Sequence, residues 1–181
     1  KFDGESAVAK DLNSIAAKLA AKDSTLWGAA AETEAKVRLN WIDLPHASRD
    51  LLPQLDALSA WARSNNLSNF ILCGMGGSSL APEVIAKTFG KKLTVLDSTD
   101  PEQIRLAIPA DLSEALVIVG SKSGSTIETA SQKAFFENLF VDAKLDPKDH
   151  MVVVTDPNSP LDVSARASGF RVVNADPKVG G

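Results

Sequence analysis

The chain has one cysteine, Cys73, among 181 residues. That excludes an internal disulfide and a cysteine-built metal cluster, and it suits a reducing cytosol. It has two histidines, His46 and His150. They are far apart in sequence, and neither sits with other ligand types at metal spacing, so metal binding has no support. There is no surplus of basic residues: 19 Lys and Arg stand against 23 Asp and Glu, for a formal charge of −4 and a pI near 5.2. That argues against nucleic acid as the main partner, because binding a phosphate backbone needs clustered cations. No apolar run reaches transmembrane length, no basic-then-apolar signal opens the chain, and no membrane association is expected. A Walker loop is excluded, since no G-x-x-x-x-G-K-[ST] occurs. The first residue is Lys and the last two are Gly180 and Gly181. Both ends look cut, and the expectation is a piece of a longer protein.

What is present is concentrated in two loops. Ser121-Lys122-Ser123-Gly124-Ser125-Thr126, with Glu128 and Thr129 just beyond, follows the wholly apolar run Ala115 to Val119 and opens a helical pattern. A strand therefore empties into a loop of small hydroxyl residues, one lysine and one glycine, and that loop starts a helix. The first N–H groups of a helix have no partner within it, and its dipole favours an anion there. Ser121, Ser123, Ser125 and Thr126 add neutral donors, Lys122 adds a point charge, and Gly124 allows a tight turn or a close approach. The natural guest is a phosphate group. Ser and Thr also cap helices, but one cap needs one hydroxyl, and four stand here beside a lysine. Upstream, Gly74-Met75-Gly76-Gly77-Ser78-Ser79 has the same character: it follows the apolar run Phe70 to Cys73 and precedes a helix.

The first 66 residues read as a helical extension. Residues 5 to 21 form an amphipathic pattern with Val8, Leu12, Ile15 and Leu19 at helical spacing. Asp23 or Ser24 can cap a helix from Thr25 to Leu39. Pro45 breaks the pattern, and Ser48 can cap a helix from Arg49 to Arg63, with Pro53 in its first turn, where proline is tolerated. This part reads as packing or interface; His46, beside Pro45, reads as a solvated loop residue.

From residue 67 to 181 strands and helices alternate. Strands are expected at Asn69 to Cys73, Leu93 to Leu96, Ala115 to Val119, Met151 to Thr155 and Phe170 to Val173. Helices are expected at Ser79 to Phe89, from the Asp100-Pro101 cap to Ile108, at Ser125 to Val141, and from Ser159 to Ala167. The strands are short, apolar and do not alternate, as strands buried on both faces do not. Five such strands with crossover helices make an α/β fold with a doubly wound parallel sheet, and the expected order is 2-1-3-4-5. Strands one and three are then neighbours, and both glycine/serine loops fall at the switch point where ligands bind.

A dinucleotide reading of the first loop competes. Gly74-x-Gly76-Gly77 opens like G-x-G-x-x-G, and Asp97 stands about 20 residues on, where a ribose-binding acid would sit. Against it, Ser79 holds the third glycine position, and the second loop is left without a purpose. Cys73 lies within a strand and reads as a small core residue. His150 precedes the fourth strand, at the end of the sheet away from the loops.

These residues carry a likeness. Ile71-Leu72-Cys73-Gly74-Met75-Gly76-Gly77-Ser78-Ser79-Leu80-Ala81-Pro82 and Ser121-Lys122-Ser123-Gly124-Ser125-Thr126-Ile127-Glu128-Thr129 resemble the two sugar-phosphate loops of the glucose-6-phosphate isomerase family. The second motif has the specific form S-K-[ST]-x-[ST]-T-x-E-T. Val179-Gly180-Gly181 looks like the start of the family's V-G-G-R-[FY]-S segment. The likeness covers residues 69 to 181, and the helices before it look like the N-terminal part of the bacterial isomerase or of its transaldolase fusions. Departures are small: Met75 sits where isoleucine is frequent and Ala81 where glycine is.

The resemblance implies a SIS-type (sugar isomerase) domain, a cytoplasmic homo-oligomer, no cofactor, and interconversion of glucose 6-phosphate and fructose 6-phosphate. It implies phosphate binding by Ser121, Lys122 (mainly through its backbone), Ser123 and Thr126, with Gly76, Gly77 and Ser78 lining the sugar side. The family's glutamate base, ring-opening histidine, further lysine and arginine all lie downstream of this segment, so no catalytic residue is expected within the chain and no turnover by it alone. The alternative is a non-catalytic SIS module that senses phosphosugars; a hexosamine-type sugar is a weaker third.

Overall fold

The computed structural model describes residues 6–180. Glu5 of the expected first helix and Gly181 of the Val-Gly-Gly ending lie outside the described residues. The chain divides into two compact units. One runs up to Leu52 and takes in the chain again from Asp176; the other is Pro53–Ala175.

In the first unit, α1 (Ala7–Ala20) starts at Ser6, whose Oγ accepts from the N–H of Ala9 at 3.2 Å. Its apolar stripe forms as the spacing predicts, yet Val8, Leu12 and Ile15 are exposed while Ala9 is buried. The helix expected over 25–39 is not continuous. Asp23 caps a single 3-10 turn, Ser24–Trp27, which ends at Gly28 in the left-handed region, and α2 (Glu32–Arg38) begins afresh. Pro45, expected to break the helical pattern, lies inside a short helix. It occupies the first turn of α3 (Leu44–Ala47), where its missing N–H is not needed. His46 is therefore in a short helix, and it is exposed. Residues beyond Asp176 run antiparallel to residues 38–40: Leu39 bridges Val179, and Asn40 N–H donates to Lys178 C=O at 3.2 Å. The Asn40 amide accepts from Lys22 Nζ at 2.9 Å and donates to Asp176 at 2.8 Å.

The second unit holds the sheet: β1 (Asn69–Gly74), β2 (Thr94–Leu96), β3 (Ala115–Gly120), β4 (Met151–Thr155) and β5 (Arg171–Asn174). All neighbours are parallel, and the order is β2-β1-β3-β4-β5, as expected from the sequence. The helix before the sheet is α4 (Leu52–Ser64), and four more connect the strands: α5 (Gly77–Thr88), α6 (Pro101–Ala107), α7 (Ile127–Asp142) and α8 (Pro160–Ala167). Alternate residues of each strand supply opposite faces. Ile71, Cys73, Val117, Val119, Met151 and Val153 pack with Phe136 and Phe140 of α7 and Ala165 of α8. Each fully buried phenylalanine contributes about 1.5–3 kcal/mol. Leu116, Val152 and Val173 pack with Ala62, Leu58 and Trp61 of α4. The Arg171 guanidinium lies 3.7 Å from the centre of the Trp61 ring. His150 is buried at the amino end of β4, its Nδ1 3.0 Å from Ala115 C=O and its ring stacked on Phe140. Crossover helices on a parallel sheet put all loops that follow strands at one edge, and that edge carries both glycine/serine loops.

Candidate functional site at the carboxyl ends of the central strands

β1 and β3 end side by side on glycine, Gly74 opposite Gly120. The approach is tight at Gly74: a Cβ there would lie 3.2 Å from Ser78 Cβ and 3.3 Å from Gly120 C=O. A Cβ on Gly120 would meet Ser78 Cβ at 3.7 Å. Ser78 therefore sits over both strand ends. Gly76 turns through φ 56°, and α5 starts at Gly77, two residues ahead of the expected Ser79. Ser79 is fully buried, its Oγ donating to Gly76 C=O at 2.9 Å.

The loop after β3 bonds to itself. Ser121 is 4% exposed, and its N–H donates to Val154 C=O at 3.0 Å. Its Oγ accepts from Gly124 N–H at 3.2 Å and donates to Thr126 Oγ1 at 3.3 Å. Ser123 Oγ accepts from the N–H and the Oγ of Ser125, at 3.3 and 3.0 Å. This local turn takes up Ser125 and Thr126, so α7 starts at Ile127 and not at Ser125. Glu128 stands in the first turn of α7, half-buried. Neither α5 nor α7 has a side-chain cap, whereas Asp100 caps α6 and Ser159 caps α8. The hydroxyl of Thr126, at the N-cap position, receives Ser121 instead of closing the helix. At α5 the N–H groups of Ser78 and Ser79 donate to the C=O of Met75 and Gly76 at 3.1 and 3.0 Å, so that helix offers an anion chiefly the positive end of its dipole.

Gly77, Ser78, Ser121 and Lys122 share the wall of a cavity of about 340 Å³, together with Leu72, Ile118, Val154 and Thr155. That volume lies within the range of small-molecule sites, and so does a mostly apolar lining with a few polar groups. Ser121 and Thr126 meet again at a second, much smaller space lined also by Thr129 and Lys133. Gly76 and Ser123 are exposed and line neither.

Lys122 differs from the sequence expectation of a point charge offered to the ligand. Its Nζ lies 2.5 Å from Asp156 Oδ2 in a mostly buried ion pair. Its C=O accepts from Asp156 N–H at 3.2 Å and from Thr155 Oγ1 at 3.4 Å. Asp156 and Thr155 were not singled out from the sequence. Their only signal is position, directly at the end of the strand beside β3. Cys73, one residue before Gly74, is wholly buried, and burial pushes its thiol up to about 12. It is a core residue, as the sequence suggested. The Asp162 carboxyl is held below the usual range first by the Asn174 side-chain amide, then by Asn158 N–H and Arg166. Among the described residues no group of three or more His, Cys, Asp or Glu is placed to hold a metal.

A doubly wound parallel sheet in this order is common to several α/β folds; the match to a solved glucose-6-phosphate isomerase makes it SIS-type. No protein-family model matches the chain. It is 34% identical over 151 residues to a glucose-6-phosphate isomerase of Thermus thermophilus, a match over 79% of this chain and 35% of the relative. Another glucose-6-phosphate isomerase, of Geobacter sulfurreducens, is 36% identical over 117 residues, 60% of this chain and 22% of the relative. A crystal structure of a hypothetical protein from Thermus thermophilus superposes with a TM-score of 0.73 at 31% identity, over 94% of this chain and 40% of that one. A glucose-6-phosphate isomerase from Chlamydia trachomatis gives 0.66 at 28% identity, over 74% and 26%. The chain is thus a homologue of the glucose-6-phosphate isomerases, and it spans about a third of the length of the first of these relatives.

Proposed function

We propose that this chain is the phosphosugar-binding part of an aldose–ketose isomerase that interconverts glucose 6-phosphate and fructose 6-phosphate. The observation that carries the reading is the cavity that Gly77 and Ser78, at the start of α5, share with Ser121 and Lys122 of the loop that leads into α7, both helices lacking side-chain caps. On this reading the phosphate is held by Ser121, Ser123, Thr126 and the backbone of Lys122. Gly76, Gly77 and Ser78 face the sugar.

The reaction moves a proton between C1 and C2 through an enediol. It needs a carboxylate base, an acid to open the ring and a cation near the developing oxyanion. Among the described residues, Lys122, Asp156, Cys73 and His150 are poorly suited to those tasks. Lys122 and Asp156 are engaged with each other, the Cys73 thiol is buried and protonated, and His150 is at the opposite end of the sheet. The proposal is therefore binding without turnover by this chain alone. A non-catalytic sensing role is not favoured, because the matched relatives carry the name of an enzyme. A homo-oligomer and a bacterial, cytoplasmic setting belong to the same proposal. The exposed row of Leu80, Val84 and Ile85 on α5, with Phe89 just past its end, supports self-association. Among the described residues no helix is long and apolar enough to cross a membrane.

Calorimetric titration with fructose 6-phosphate tests the binding. A hydrogen bond to a charged group is worth about 1.5–3 kcal/mol. Ser121→Ala and Thr126→Ala should each weaken binding by roughly tenfold to a hundredfold. Unchanged affinity in both variants would defeat the proposal, and turnover at enzyme level by the purified chain would defeat the claim of binding alone.

A further inference from the structure

Asp156 meets Lys122 twice, once through its backbone N–H and once through its carboxylate. The pair is mostly buried, with 25% and 16% of the two side chains exposed. Pairs in that setting hold their partners more firmly than exposed ones, and breaking them leaves a buried charge without a partner. Thr155 adds a third tie: its Oγ1 reaches Lys122 C=O and is bonded to Ser159 Oγ at 2.8 Å. Two residues beyond Lys122, Gly124 fits against Leu161 and Ser159 with no space for a Cβ. The loop after β3 is thus seated at Lys122 and at Gly124 on the connection between β4 and α8 and on the first turn of α8. The Lys122 contacts are made at the end of β4, the strand paired with β3, and the Gly124 contacts at the start of α8.

We infer that Asp156 is a positioning residue of the phosphosugar site, acting through Lys122. It engages the ammonium, so that the loop meets an anion chiefly with neutral donors. It also fixes the Lys122 peptide, so that the loop's N–H groups and hydroxyls are set before the ligand arrives. Preorganisation of this kind raises affinity by removing the entropy of ordering the loop on binding. The inference rests on the phosphosugar reading proposed above.

The sign of one substitution separates this from the obvious rival. If Lys122 were a ligand charge restrained by Asp156, releasing it would tighten anion binding. If Asp156 positions the loop, Asp156→Asn weakens it. The experiment titrates fructose 6-phosphate and inorganic phosphate into the chain and into Asp156→Asn, Lys122→Met and the double variant, each at low and high salt. Expected is a loss of about tenfold for each single variant and no further loss for the double, since residues that act as one unit are not additive. The salt dependence should stay shallow in wild type and Lys122→Met and steepen in Asp156→Asn, where the ammonium becomes available to the anion. In the free Asp156→Asn protein, amide shifts should change over residues 121–126 while the thermal unfolding transition stays cooperative. Equal or tighter binding by Asp156→Asn, or singles whose losses multiply in the double, overturns the inference and leaves the phosphosugar reading standing. Should Asp156→Asn not fold, Lys122→Met decides: wild-type affinity there overturns the inference. A wild-type chain that binds neither ligand overturns the phosphosugar reading, and this inference with it.

Discussion

Gly124 lies so close to Leu161 that a Cβ on the glycine would stand 2.8 Å from Leu161 Cβ and 2.9 Å from its backbone nitrogen. The glycine is also at φ 68°, in the left-handed region that side chains disfavour. Gly124→Ala must therefore push the loop after β3 away from α8. The expected loss of stability is about 1–3 kcal/mol, the range for overpacking plus an unfavourable backbone. Urea unfolding measures it, and fructose 6-phosphate binding should weaken in parallel. Full stability and full binding in the variant would contradict the tight seat.

Cys73 should be inert in the folded chain. It is wholly buried and its thiol is raised to about 12, so almost none is thiolate at neutral pH. A soluble disulfide reagent should label it at the rate of unfolding and not at the rate of a free thiol. Rapid labelling without loss of structure would show that the strand is accessible.

Asp162 makes stability depend on acid pH. The Asn174 amide, the Asn158 N–H and Arg166 hold its carboxyl below the usual range. A folded value below the unfolded one means that the stabilisation is present above about pH 4. It is lost as pH falls from there through the folded value. Asp23, Asp111, Asp146 and Asp176 are lowered too, so wild type alone does not isolate the effect. The test is the difference in urea midpoint between wild type and Asp162→Asn at pH 7 and at pH 3. It should be large at pH 7 and shrink at pH 3; a difference that stays constant would mean the charge of Asp162 plays no part.

The Arg171–Trp61 stack should couple α4 to β5. The guanidinium also donates to Lys148 C=O, so a single substitution removes more than the stack. A double-mutant cycle with Arg171→Met and Trp61→Leu isolates it. The expected coupling is about 0.5–1 kcal/mol. Zero coupling would leave the stack without energetic weight.

Much of this architecture was readable because it follows from local rules. Apolar runs such as Ala115 to Val119 have no alternation, and a strand buried on both faces needs none. Asp100 and Ser159 announced their helices by the capping rule, and both caps are made. That the loops after the first and third strands lie side by side followed from the expected strand order; the register that sets Gly74 opposite Gly120 did not. Other features were not readable, because they depend on distant partners. A helix was expected over residues 25–39, but Gly28 breaks the run and leaves a 3-10 turn and a short helix. The start of α7 shifted because Ser121 and Ser123 bond within the loop, which hydroxyl-rich sequence allows but does not require. The engagement of Lys122 by Asp156 joins residues 34 positions apart, and no local pattern marks it. The candidate site residues were placed at one edge by the sequence. Which of them line the larger cavity was not foreseeable, and Gly76, Ser123 and Thr126 do not.

Whether the two loops form one phosphosugar site is tested most directly by backbone amide NMR, with fructose 6-phosphate as ligand and NADH as control. Fructose 6-phosphate alone should move the amides of residues 74–79 and 121–127. If NADH moves the first loop and fructose 6-phosphate moves neither, the site is a nucleotide site and the phosphosugar reading is wrong.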